Sequence, residues 1–242
     1  MKKFWGFLLV IVLMTSCGEY QSLLKSNDYN LVYKKAIEYY NKGDYQRAMN
    51  LLDGVRSVFV GQAKAQNIAY YRAFCSYNMK DYQIASDLFK QFIQTYPESS
   101  FAEECLYMMG FCDYKASPKP RLDQQVTEKA IREFQLYLSR YPYSMRKDKV
   151  NTYMDEMRDK LSYKAYLSAK NYYLREHYKA AVISLQNCLK DYPGSKYREE
   201  IMYMLFVSKY QMAVNSVEDK KVERYNNCLL YTSPSPRDQR GS

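Results

Sequence analysis

The chain has 242 residues, with 36 Lys and Arg against 26 Asp and Glu for a formal charge of +10, and it carries 28 Tyr but only 8 Gly, 7 Pro and one His. So little Gly and Pro, with no alternating strand pattern, predicts an all-α protein. A single His excludes His-rich metal clusters, and the basic residues are mixed with acids along the chain, which describes a solvated helical surface and not a nucleic-acid face.

Residues 1–16 read as a targeting segment. Lys2 and Lys3 make a basic start, and Phe4 to Met14 is an apolar run too short to span a bilayer comfortably. The run ends in Met14-Thr15-Ser16-Cys17, which resembles the lipobox of bacterial lipoproteins. That resemblance implies lipidation of Cys17 with loss of the preceding peptide, and two or more acyl chains give stable anchoring where one is marginal. Residues 17–28 are then a polar tether. No Asp directly follows the Cys and no acidic run follows, which by the same resemblance favours the outer membrane and its periplasmic face.

Residues 29–227 carry a repeat. Ala36, Ala73, Gly110 and Ala169 recur on first helices; Ala48, Ala85, Ala130 and Ala181 recur on second helices, after turns such as Gly43-Asp44-Tyr45, Lys80-Asp81-Tyr82 and Glu176-His177-Tyr178. Small residues belong where two antiparallel helices approach closely, and this order of small residue, turn, Tyr, small residue and aromatic is a tetratricopeptide pattern. Tyr pairs seven apart agree: Tyr33/Tyr40, Tyr70/Tyr77, Tyr107/Tyr114, Tyr166/Tyr173 and Tyr203/Tyr210 begin at intervals of 37, 37, 59 and 37 residues. Seven residues make about two helical turns, so each pair shares a face. The long interval holds an insertion around Ser117-Pro118-Lys119-Pro120 and an extension of the following helix over Arg146 to Leu161. Three second helices stop at Tyr96-Pro97, Tyr141-Pro142 and Tyr192-Pro193, because Pro cannot continue a helix. The Ser two residues after each Pro (Ser99, Ser144 and Ser195) is expected to N-cap the next helix. The prediction is a tetratricopeptide-repeat solenoid of about five helix pairs, the last truncated.

Residues 228–242 (CLLYTSPSPRDQRGS) break the periodicity. Cys228 to Asp238 resembles one reading frame of a transposase adapter used to prepare sequencing libraries, so the natural sequence is expected to differ after about Asn227 and the fifth repeat to have lost its second or capping helix. Without the leader and tail charges the surplus is about +7, enough to favour acidic lipid headgroups or an acidic partner face.

Cys75, Cys105, Cys112 and Cys188 fall on helices and read as small core residues, while His177 reads as an exposed turn residue. With no Gly-rich phosphate loop, no nucleophile pair and no metal cluster, the expectation is a non-enzyme without a cofactor. Setting the small residues in register aligns Tyr33, Tyr70 and Tyr107 in one row and Ile37, Phe74 and Phe111 in a second. A third row is Tyr40, Tyr77 and Tyr114. First helices line the concave face of such solenoids, and Tyr offers apolar area with a hydrogen-bonding tip, so Tyr33, Ile37, Tyr70, Phe74, Tyr77, Tyr107 and Phe111 are the candidate peptide-binding groove. The Tyr40 row reads first as packing between helices.

Cys17, the Tyr-paired repeats, the Tyr-Pro-x-Ser stops and the segment SPKPRLDQQVTEKAIREFQLYLSRYP (Ser117 to Pro142), with Asp123-Gln124 ahead of a Thr-capped helix at Thr127, together resemble the BamD (ComL/YfiO) family. The resemblance implies a lipid-anchored, non-catalytic subunit of the outer-membrane β-barrel assembly machinery. It further implies docking of the C-terminal repeats on the periplasmic domains of the barrel-forming, BamA-like assembly protein, and reception of unfolded outer-membrane proteins by the N-terminal repeats. The alternative is a generic periplasmic tetratricopeptide lipoprotein scaffold for cell-wall or motility proteins.

Overall fold

A computed structural model describes residues 18–229; Cys17 and residues 230–242 lie outside the described residues. A short helix, α1, covers residues 18–24. It is followed by α2 (Tyr29–Asn41), α3 (Tyr45–Val55), α4 (Ala63–Asn78), α5 (Tyr82–Thr95), α6 (Ala102–Ala116), α7 (Gln125–Arg140), α8 (Lys147–Leu174), α9 (Tyr178–Asp191), α10 (Arg198–Val214) and α11 (Glu218–Leu229). From α2 onward these are five helix pairs in chain order, an all-α helical-repeat solenoid. α11 supplies a second helix to the fifth pair as far as Leu229, so among the described residues that pair has not lost its second helix.

The turn inside a pair is built the same way three times. Gly43, Lys80 and Glu176 adopt φ of 81°, 68° and 59°. Each donates its N–H to the carbonyl three residues back (Tyr40, Tyr77 and Tyr173). The following residue (Asp44, Asp81 or His177) donates to the carbonyl five back, on Tyr39, Ser76 or Tyr172. This is a Schellman stop, and the residue that completes it is also the N-cap of the second helix. One residue therefore ends one helix and starts the next, which keeps the pair tight.

Between pairs the expected Ser caps are displaced. Hydroxyls of Ser99, Ser144 and Ser195 accept the N–H of Phe101, Arg146 and Tyr197, while the N-caps of α6 and α10 are Phe101 and Tyr197. The chain needs an extra tight turn after Pro before it can re-enter a helix, so each Ser braces that turn. Thr127 likewise is not a cap: α7 starts two residues earlier, and the buried Thr127 hydroxyl meets that of Ser117 at 2.6 Å.

The described residues form two compact units, one reaching to Ser117 and resuming over Gln125–Val150, the other made of Pro118–Gln124 and the chain from Asn151. In the first unit Ala36, Ala48, Ala73, Ala85 and Ala130 are fully buried, which is where the small-residue register placed the helix crossings. At Gly110 the approach is closer still, because an added Cβ would lie 2.9 Å from Cδ1 of the buried Phe134 ring. In the second unit Tyr166 and Ala169 of α8, Ala181, Leu185 and Cys188 of α9, and Ile201, Met204 and Leu205 of α10 share one core. The insertion is braced internally by the buried Gln124 side-chain amide, whose Nε2 donates to the carbonyls of Lys119 and Leu122 at 2.8 and 3.2 Å, and is tied to this unit by Lys164 Nζ of α8, which donates to the Leu122 carbonyl.

Candidate functional site

The register that buries the small residues leaves Tyr70, Phe74 and Tyr77 of α4 and Phe111 of α6 half-buried in the first unit. Tyr70 packs at 4.6 Å, centroid to centroid, on both Phe74 and Phe101. Phe74 then meets Tyr77 at 6.4 Å, Tyr77 meets Phe111 at 6.2 Å, and Phe111 stacks on Tyr107 at 5.7 Å. The structure thus brings five of the seven expected groove residues into one unbroken run of rings, with offset and edge contacts of the favourable kind. Tyr33 and Ile37 do not join that run: Tyr33 pairs with Phe59, and Ile37 lies against the first core. Tyr107 is buried, closed in by Phe134, Tyr137 and the Arg146 guanidinium 5.0 Å from its ring centre. Tyr40 fills the space between pairs, 5.5 Å from Tyr45 and 4.9 Å from Tyr71, and burial pushes its phenol up to about 12.

The register did not reveal what the phenol tips do. Tyr70 donates to Glu104 at 2.8 Å and Tyr166 to Glu200 at 2.7 Å, each partner 34 residues on, and the side chain of Asn67, 34 residues after Tyr33, hydrogen-bonds that phenol. Burial first, then the carboxylate, raises the Tyr70 phenol. Three first helices are therefore tied to the next first helix by one repeated bond, and a polar residue three before the next Tyr was the available signal. In the first unit the Tyr33 and Tyr70 tips are thus spent on the fold, which leaves their ring faces.

Behind this surface lies a buried polar cluster. Asp113 on α6 meets Lys129 Nζ of α7 at 2.8 Å and accepts from Ser86 of α5 at 3.1 Å, and Lys129 also reaches Glu133 at 3.6 Å. Glu133 is buried with one carboxyl oxygen lacking a partner; burial first, and the adjacent Asp113 carboxyl second, push it up to about 8.

The second unit holds a cavity of about 770 Å³ lined by Arg121, Tyr163, Lys164, Tyr166, Lys170 and Tyr197 among others. Its floor is a ring stack, with Tyr166 and Tyr197 at 4.3 Å and 13° and Tyr163 on Tyr197 at 5.3 Å. Its rim is cationic: Lys164 Nζ donates to the Leu122 carbonyl, and Lys170 Nζ donates to Tyr166 Oη and Glu200, both at 2.8 Å. Arg121 comes from the inserted segment, so the insertion brings a guanidinium to this cavity.

Chemistry of bond making finds little here. Burial pushes the thiols of Cys75 and Cys105 up to about 12 and raises those of Cys112 and Cys188, so these buried cysteines are poor nucleophiles. His177 is exposed at the α9 N-cap. Among the described residues no group of three His, Cys, Asp or Glu could hold a metal ion, and no helix is long and apolar enough to cross a membrane.

Comparison with known proteins adds the family. No curated protein matches the chain. Among solved structures, MamA (AMB-1) matches over 88% of this chain and 97% of that chain at 13% identity, with a TM-score of 0.35. The profile of the YfiO family, described as "Outer membrane lipoprotein", matches residues 25–224, which spans every helix pair. The chain belongs to the YfiO family of outer membrane lipoproteins.

Proposed function

We propose that this outer membrane lipoprotein is a non-catalytic subunit of the β-barrel assembly machinery, lipid-anchored through Cys17 at the periplasmic face. In this reading the first unit binds unfolded outer-membrane proteins and the second docks on the periplasmic domains of the barrel-forming assembly protein. The observation that carries it is the half-buried ring run Tyr70, Phe74, Tyr77 and Phe111, backed by the buried Tyr107, on the first helices of a member of this family. An extended strand presents side chains alternately to its two faces, so such a surface holds one face of it by aromatic contact. The cationic, Tyr-floored cavity of the second unit suits an acidic partner face and complements the first.

The test is binding of a fluorescent peptide carrying the C-terminal strand of an outer-membrane barrel protein. Tyr70→Ala with Phe74→Ala is expected to weaken binding at least roughly tenfold, since each removes a large aromatic contact. Circular dichroism and urea unfolding establish that the double variant is folded. Unchanged affinity in the folded variant contradicts strand binding at this surface.

A further inference from the structure

Three of the four inter-pair turns share one backbone built on Tyr-Pro-x-Ser, and only one of those three carries apolar side chains at its tip; the fourth, over residues 56–62, has a different sequence and exposes Val58 and Val60. Tyr96-Pro97-Glu98-Ser99-Ser100, Tyr141-Pro142-Tyr143-Ser144-Met145 and Tyr192-Pro193-Gly194-Ser195-Lys196 each use the Ser hydroxyl to accept the N–H two residues on. The residues flanking that Ser are exposed in all three turns. In two turns they are Glu98 and Ser100, or Gly194 and Lys196. In the third they are Tyr143 and Met145, 98% and 102% exposed. The turn forms without apolar residues there, so folding does not explain them.

We propose that the turn between α7 and α8 is a contact with an anionic lipid surface, made by Tyr143 and Met145. Charge argues for the occupant: Arg140, Arg146, Lys147 and Lys149 lie within five residues of the tip against Asp148 in sequence, and in space Glu103 accepts from Ser144 and Glu104 pairs with Arg146, which leaves the cations in excess by one. Tyr at the level of the headgroups, an unbranched apolar neighbour and flanking cations are the composition of an interfacial contact. Size agrees. A stable protein interface engages about 20–30 residues a side, and two side chains on a turn fall far short, whereas shallow insertion needs only the tip. The inference rests on membrane residence of the family and not on strand binding, so either can fail alone.

The sole Trp, Trp5, lies in the segment expected to be removed on lipidation, so an introduced Trp is the single reporter in the mature chain. Tyr143→Trp and, as the matched control in the second pair, Glu98→Trp are placed in the mature lipoprotein and reconstituted in phosphatidylcholine vesicles containing phosphatidylglycerol. With brominated acyl chains, the reporter at 143 is expected to shift to the blue and lose roughly half its emission, as a ring roughly 5–10 Å into the headgroup boundary would, and the reporter at 98 to do neither. Both variants change exposed turn residues, so folding is not at stake. A reporter at 143 that stays red-shifted and unquenched on vesicles, or that shifts only when other envelope proteins are added, overturns the proposal.

Discussion

The two units use one repeat to opposite effect. Tyr70 of the first unit and Tyr166 of the second sit 96 residues apart, and so do their acceptors Glu104 and Glu200 and the aromatic N-caps Phe101 and Tyr197. At that same interval Phe74 is matched by Lys170 and Asn67 by Tyr163. These replacements, with Lys164 and the inserted Arg121, give a cation-rimmed cavity in place of an apolar run of rings, while the bond that ties neighbouring first helices stays put. The repeat supplies the frame, and the residue one turn after the bonded Tyr differs between the units: Phe74 in the first and Lys170 in the second.

The frame is the part that costs most to break. Phe134 is fully buried against Gly110, so Phe134→Ala is expected to cost about 3–5 kcal/mol, read as a lower urea midpoint. Next in size is the repeated bond. Tyr70→Phe should cost about 1–2 kcal/mol because Glu104 is left with only Arg146 at 3.9 Å. Tyr166→Phe should cost less, since Glu200 keeps Lys170 at 2.8 Å. Equal losses in urea unfolding would contradict that ranking.

A pH dependence distinguishes the first unit further. Glu133 binds its proton more tightly folded than unfolded, because its value is raised from 4.5 to about 8. Its contribution is therefore fully present below about pH 4.5 and is lost as pH rises through about 8. Glu133→Gln, which stays uncharged, should gain stability relative to the parent progressively across that window, measured as Tm against pH. The smallest effect concerns the shared turn. Lys80 carries a side chain at a φ where Gly43 stands in the first pair, so Lys80→Gly should stabilise by about 1 kcal/mol and Gly43→Ala should cost about as much.

Much of the frame was legible because packing demands are local and periodic. Ala36, Ala73 and Ala85 had to be small, and the Tyr-Pro steps had to end helices; both follow from side-chain volume and from a missing N–H. What escaped depends on neighbours distant in sequence. The Ser99, Ser144 and Ser195 hydroxyls serve the turn before the helix, since the chain must reverse before it can be capped. The Tyr70 to Glu104 bond needs the next pair in place, and Tyr107 is buried because Tyr137 and Arg146 of its own unit close over it. Register alone puts Tyr33, Tyr70 and Tyr107 in one row; the residues packed on each, such as Phe59 on Tyr33 and Tyr137 and Arg146 on Tyr107, decide how far it is exposed.

The central claim is that two unlike surfaces on one repeat frame join unfolded substrate to an assembly partner. Its most direct test is affinity capture of the native protein from detergent-solubilised envelopes, followed by mass spectrometry. The account predicts a stoichiometric outer-membrane barrel protein bearing soluble periplasmic repeats, weakened when Lys170→Phe removes one of the three cations lining the second unit's cavity and kept in Tyr70→Ala with Phe74→Ala. Capture of cell-wall or motility proteins in its place, with no barrel protein, would contradict it.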